Sequence, residues 1–173
     1  AARALWGRVD VLVANAGIFE PARLDAPDWL DVWERTQAVN LRAPAELCRL
    51  AVCHARERRA AGETGVAVRI VTVSSRAAFR GDDEDYWAYA ASKGGLVALT
   101  KSIARAGGGV AAFGVAPGFT RTDMASASIE AQGEARIAQG IALDRLTEPD
   151  DIAPLVALLA SGLADHATGT TID

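Results

Sequence analysis

The chain carries only 2 cysteines, 2 histidines and 1 methionine in 173 residues, and these shortages narrow its chemistry before any motif is read. Cys48 and Cys53 would stand about 140° apart on a helix of 3.6 residues per turn. They share no face for a disulfide clip or a metal, and read as reduced thiols of a cytoplasmic protein. His54 and His166 belong to no visible cluster, so both are expected to be structural or exposed, and no metal site is expected. Neither a secretory leader nor an apolar run of membrane-spanning length is visible, which predicts no membrane engagement. The net charge of -4 is dispersed, without the basic stripe of a nucleic-acid-binding surface. The chain opens on Ala1 instead of Met, and the expectation is a fragment.

Half of the residues are hydrophobic, enough for one sizeable core in one domain. DVLVA at Asp10 to Ala14 is a short apolar run with turn residues Asn15 and Gly17 behind it, as expected of an interior strand buried on both faces. A helical pattern follows from Ala26 past Asn40 to a charged, solvated end at Arg56, Arg58 and Arg59, with Trp29 and Trp33 one turn apart as core packing. VAVRIVTV at Val66 to Val73 is a second strand. A helix from about Tyr86 to Arg105 buries Leu96, Leu99 and Ile103, with the acidic run Asp82 to Asp85 capping its start. Gly107 to Gly109 end it before a third strand, Val110 to Ala116. Those glycines follow a helix, the reverse of the order a phosphate-binding fingerprint needs. Residues 120–145 lack strong periodicity and read as a mobile lid. A helix from Glu148 or Pro149 to about Ala160 and a last strand at Thr170 to Ile172 complete an α/β rhythm with helices on both faces of a parallel sheet.

The chemistry concentrates in YAASK, where Tyr89 and Lys93 lie four residues apart and so share a helical face. A cation beside a phenol favours phenolate and is expected to lower its pKa by roughly one to three units, which makes Tyr89 an acid near neutral pH. Pro44, four residues after Asn40, has no N–H for the Asn40 carbonyl. It is expected to leave that carbonyl exposed as an acceptor for an ordered water; the competing expectation is a helix break with Pro44 opening a new helix.

Read together, VANAG (Val13 to Gly17), VNL (Val39 to Leu41), VSS (Val73 to Ser75), YAASK (Tyr89 to Lys93) and APG (Ala116 to Gly118) resemble the short-chain dehydrogenase/reductase family over nearly the whole chain. The resemblance implies a Rossmann-like doubly wound parallel sheet and an oxidoreductase that moves a hydride between NAD or NADP and a carbonyl or alcohol. It implies Tyr89 as general acid or base, Lys93 on the nicotinamide ribose, Ser75 or Ser74 on the substrate oxygen, and Asn40 holding a water in a proton relay. It further implies Asn15, Ala16 and Gly17 on the adenosine side of the cofactor, with Pro117, Gly118, Thr120 and Thr122 near the nicotinamide or diphosphate.

The family's glycine-rich turn after its first strand has no counterpart here. Residues 1–173 are therefore expected to form a partial domain, the C-terminal portion of the sheet without its first strands, its first strand presenting a bare apolar edge that invites pairing or aggregation. Family analogy also implies a homodimer or homotetramer through the helices carrying Leu47 to Ala55 and Tyr86 to Arg105. Arg76, Arg80 and Arg121 could meet an acidic carrier, as in a 3-oxoacyl-carrier-protein reductase. The alternative is a non-catalytic remnant or interaction subunit of the same fold.

Overall fold

In a computed structural model, residues 7–173 are described; Ala1, on which the expectation of a fragment rests, lies outside them. Four strands, β1 (Val11–Ala14), β2 (Val68–Val73), β3 (Val110–Val115) and β4 (Thr171–Ile172), form one sheet in sequence order. Every pairing is parallel, with Val13 opposite Val71 and Val71 opposite Phe113. The connecting helices are α1 (Trp29–Gln37), α2 (Ala43–Ala60), the short α3 (Ala77–Arg80) and α4 (Trp87–Ala106). After β3 come α5 (Ser126–Gln132), α6 (Glu134–Ala138) and α7 (Pro149–Ser161).

Alternation along β2 and β3 divides the core between two faces. Val68, Ile70 and Ala112 meet Cys48, Ala51 and Ala55 of α2 and Ile103 of α4. Val71, Ala111, Phe113 and Val115 meet Leu159, Ile152 and Val156 of α7 on the other face. The strand order advances in one direction throughout, so the third crossover has the opposite hand to the first two. All six residues of β3 are buried, as a strand covered on both faces requires.

Four expectations need correction. β1 is not an interior strand among the described residues: Val11 and Val13 are 39% and 43% exposed, since helix packing reaches the Leu12 side only. Trp29 and Trp33 are not core; they stack on each other at 5.3 Å while half-buried, and α1 buries Val32 and Thr36 instead. Arg58 is not solvated: it donates to the carbonyls of Val9 and Ala67 and pairs with Glu63 and Asp10, stitching the end of α2 to the starts of β1 and β2. The acidic run does not cap α4, because a 3₁₀ turn at Glu84–Tyr86 intervenes and the cap position falls on Tyr86 without a side-chain bond.

Between α1 and α2 the helix does not break at Pro44. It widens into a π-turn over Ala38–Arg42, with the N–H of Ala43 reaching back to the carbonyl of Ala38. The looser register carries the chain past the missing proline N–H and places buried Asn40 in the turn.

Phe113 is fully buried at the centre of the sheet. Phe113→Ala is expected to lower stability by about 3–5 kcal/mol, read as a reduced urea midpoint with an unchanged m-value; a loss under 1 kcal/mol would mean the α7 face is not packed as described.

Candidate active site

Parallel sheets open their sites where the strands end, and here three strand ends converge. β1 gives way to Asn15, Ala16 and Gly17, β2 to Ser74 and Ser75, and β3 to Ala116, Pro117 and Gly118. Across them runs the first half of α4, bringing Tyr89, Ser92 and Lys93.

Lys93 is 4% exposed. Its Nζ donates to the carbonyl of Val73 at 2.9 Å and stands 5.6 Å from the centre of the Tyr89 ring. Phenol and ammonium therefore do share a face, as their spacing predicts. The electrostatic outcome differs from expectation. Burial raises the Tyr89 pKa above the usual tyrosine value, a hydrogen bond with Ser75 opposes the rise, and the Asp82 carboxylate adds to it. Burial also brings the Lys93 ammonium down to about 8. With its Nζ engaged by Val73 and over the ring, Lys93 does not offset the desolvation of the hydroxyl.

The two serines separate. Ser74 is buried and its hydroxyl donates to the carbonyl of Lys93 at 2.8 Å, holding α4 to the end of β2. Ser75 is half-buried; its hydroxyl accepts the N–H of Ala77 at 3.2 Å and lies near enough to the Tyr89 hydroxyl to favour its ionised form.

Asn40 is fully buried. Its side-chain amide accepts from the N–H of Ile18 at 2.8 Å and donates to the Ile18 carbonyl at 2.9 Å, as a neighbouring strand would. The remaining amide hydrogen goes to Ser92 Oγ at 3.2 Å, and Ser92 in turn donates to the carbonyl of Tyr89. The side chain is thus committed to holding the segment after β1. Gly17 is needed there for space: a Cβ would lie 3.3 Å from both Asn40 Oδ1 and Lys93 Nζ.

Among the other expected cofactor residues, Asn15 and Ala16 are exposed, while Pro117, Gly118 and Thr120 are half-buried. Thr120 Oγ1 donates to the carbonyl of Gly118, and Thr122 is exposed. The segment after Thr120 is closed at its base by a short parallel bridge between Thr120 and Thr147, and Arg121 ties Glu134 to Glu148. Residues 120–145 hold two short helices, α5 and α6, where no strong periodicity is visible in the sequence.

Sequence reading missed the aromatic wall. Phe19 stacks on Tyr86 with ring centres 3.9 Å apart and meets the edge of Tyr89 at 4.7 Å. No local pattern marks Phe19, because its partners come from a helix start much later in the chain. Ser92 was also missed, although its position three residues after Tyr89 is the spacing of a hydroxyl that bonds back to its own helix. His54 is structural as expected, its Nε2 accepting the N–H of Val9. Both cysteines are free, Cys48 buried and Cys53 exposed, and no metal-ligating cluster occurs among the described residues.

The whole chain, residues 1–173, matches the family described as enoyl-(acyl carrier protein) reductase. It is 37% identical over 172 residues to the 3-oxoacyl-[acyl-carrier-protein] reductase FabG of Vibrio cholerae, covering 96% of this chain and 65% of that relative. The chain belongs to the short-chain dehydrogenase/reductase family. The fold agrees. A 3-ketoacyl-(acyl-carrier-protein) reductase from Brucella melitensis, complexed with NADH, superimposes with a TM-score of 0.83 at 29% identity, over 99% of this chain and 68% of that one. A structure from Beutenbergia cavernae holding NADP at low occupancy gives 0.87 at 33% identity, over 99% and 66%. The chain thus spans about two thirds of the length of these short-chain dehydrogenase/reductase relatives.

The burial of Lys93 has a measurable signature. Unfolded, the side chain keeps its proton to about 10.5; folded, it releases it near 8. Between those values the unfolded chain binds more protons, so stability from this group rises with pH. Relative to Lys93→Met, the protein is expected to gain roughly 3 kcal/mol of unfolding free energy from pH 8 to 10.5, measured by urea unfolding. A difference that stays constant across that range would contradict the burial.

Proposed function

We propose that this protein is an NAD(P)-dependent oxidoreductase acting on a carbonyl or alcohol, with Tyr89 transferring the proton. The observation that carries this reading is the buried ammonium of Lys93, 5.6 Å from the centre of the Tyr89 ring and bonded to the end of β2 beside Ser75. The residues present fit the cofactor. Gly17 keeps the floor beside Lys93 free of side chain, and Lys93 uses one of its three donors on Val73, leaving two for ribose hydroxyls. Asn15, Ala16 and Gly17 would hold the adenosine side, and Pro117, Gly118, Thr120 and Thr122 the nicotinamide side. When bound, the dinucleotide supplies or accepts the hydride at its nicotinamide ring.

In the reductive direction Ser75 and Tyr89 both donate to the substrate oxygen, and their hydrogen bonds strengthen as negative charge develops there, an effect worth several kcal/mol. The proton of Tyr89 passes to that oxygen. A depressed Lys93 pKa near 8 suits a group that both carries charge and exchanges a proton near neutral pH. The Asn40 carbonyl, in a π-turn ahead of a proline with no N–H to offer, is the acceptor for a water linking Lys93 to solvent. Residues 120–145 act as the lid. Exposed Leu47 and Leu50 on α2 and Trp87 at the start of α4 support a homodimer or homotetramer through those helices. A cytoplasmic location accords with the absence of any helix, among the described residues, long and apolar enough to cross a membrane. The FabG relatives support 3-oxoacyl thioesters as a first substrate class to assay.

Tyr89→Phe in the full-length protein is expected to lower kcat by at least about a thousandfold while NADH or NADPH affinity, measured by fluorescence titration, changes less than about threefold. Unimpaired turnover in that variant would remove Tyr89 from the mechanism, and failure of the intact protein to bind either nucleotide would favour a non-catalytic member of the fold.

A further inference from the structure

Arg76 follows Ser75 directly in the chain, so its backbone is fixed about 3.8 Å from that of a residue at the reacting centre. Its N–H is held by the carbonyl of Pro117. The side chain then lies against Gly118, where a Cβ would come within 3.2 Å of Nε and 3.3 Å of Cζ. Arg76, Gly118, Phe119, Ile141, Thr147 and Asp173 together line a cleft of about 360 Å³, the lower end of the range for small-molecule sites. It lies between the residue after Ser75 and the base of the 120–145 lid.

The guanidinium in this cleft lacks what the other well-placed arginines have. Arg121 is held by Glu134 and Glu148, Arg145 by Asp151, and Arg69 by Asp165 in a two-pronged pair. Among the described residues Arg76 makes no side-chain ion pair, and its Nε is both shut off from solvent and without an acceptor. Asp173 lines the same cleft but stands beyond ion-pair distance. A buried donor without a partner is costly, and a planar fork of donors is matched best by a planar pair of oxygens.

We infer that Arg76 is a substrate-reading residue, and that the carbonyl or alcohol substrate carries a carboxylate a short way along its chain from the reacting carbon. The inference rests on the oxidoreductase reading above and narrows it: the cleft takes a small oxo or hydroxy acid in preference to its uncharged ester. Arg80, exposed on α3, and Arg121, already paired, have no such position.

The test uses the full-length protein with four- to six-carbon oxo acids and their methyl esters, and a 3-oxoacyl thioester alongside. Binding is measured by calorimetry in the presence of reduced nucleotide, and reduction is followed by nucleotide absorbance. The acid is expected to be preferred over its ester by about ten- to a hundredfold in kcat/KM, mostly through KM. That ratio should collapse towards one in Arg76→Met and recover in part in Arg76→Lys. Equal use of acid and ester by the unaltered protein, or a preference that survives in Arg76→Met, would overturn the inference while leaving the oxidoreductase reading intact. So would reduction of the thioester with no binding of any oxo acid. If acids bind selectively through Arg76 and nothing is turned over, the carboxylate site stands and the oxidoreductase reading falls.

Discussion

A single ammonium group, taken almost wholly out of water, organises the mouth of this sheet. Lys93 finds one carbonyl, that of Val73, at the end of β2, and satisfying it fixes how far α4 slides along the strands. Ser74 repeats the tie in the opposite sense by donating to the carbonyl of Lys93 itself. Tyr89, one turn earlier, is thereby held against Ser75. The segment after β1 is drawn in by Asn40, whose amide mimics a strand edge for Ile18. The bond to the Val73 carbonyl matters because a buried charge without hydrogen-bonding company would be far more expensive.

This arrangement alters how the phenol and the ammonium influence each other. The simple expectation is that positive charge makes tyrosine more acidic, yet desolvation acts on both groups and disfavours charge on each. Lys93 sits over the ring with its Nζ engaged by Val73, and Asp82 adds repulsion towards a phenolate. The protonated phenol is the stabilised form, which suits the proton donor we propose Tyr89 to be. Asp82 belongs to a run whose sequence pattern reads as a helix cap, yet its carboxylate accepts the N–H of Asp83, ahead of the 3₁₀ turn at Glu84–Tyr86 and short of α4.

Most of the framework was legible in the sequence because its signals are local. β-branched runs give β2 and β3, glycines mark the end of α4, and of the five short motifs three fall at strand ends while VNL lies in the π-turn and YAASK on α4. Harder to read were features created by partners distant in the chain. Arg58 looks like a solvated helix end until β1 and β2 arrive to supply carbonyls, and Phe19 has no meaning until Tyr86 and Tyr89 are beside it. The exposure of Val11 and Val13 likewise depends on which face a helix covers, something an apolar run does not encode. The π-turn was half legible. Pro44 announced that the hydrogen-bond ladder must change near Asn40, but widening and breaking are both answers to a missing N–H.

The reversed hand of the last crossover separates two responsibilities of the fold. The helices that hold Tyr89, Lys93 and Asn40 lie on one side of the sheet, and the excursion that leaves β3 returns down the other with α7. Its base is pinched shut between Thr120 and Thr147, so that length and sequence inside the pinch are free to vary without disturbing the packing around Tyr89, Lys93 and Asn40. In the oxidoreductase we propose, substrate preference can therefore drift while the chemistry stays fixed.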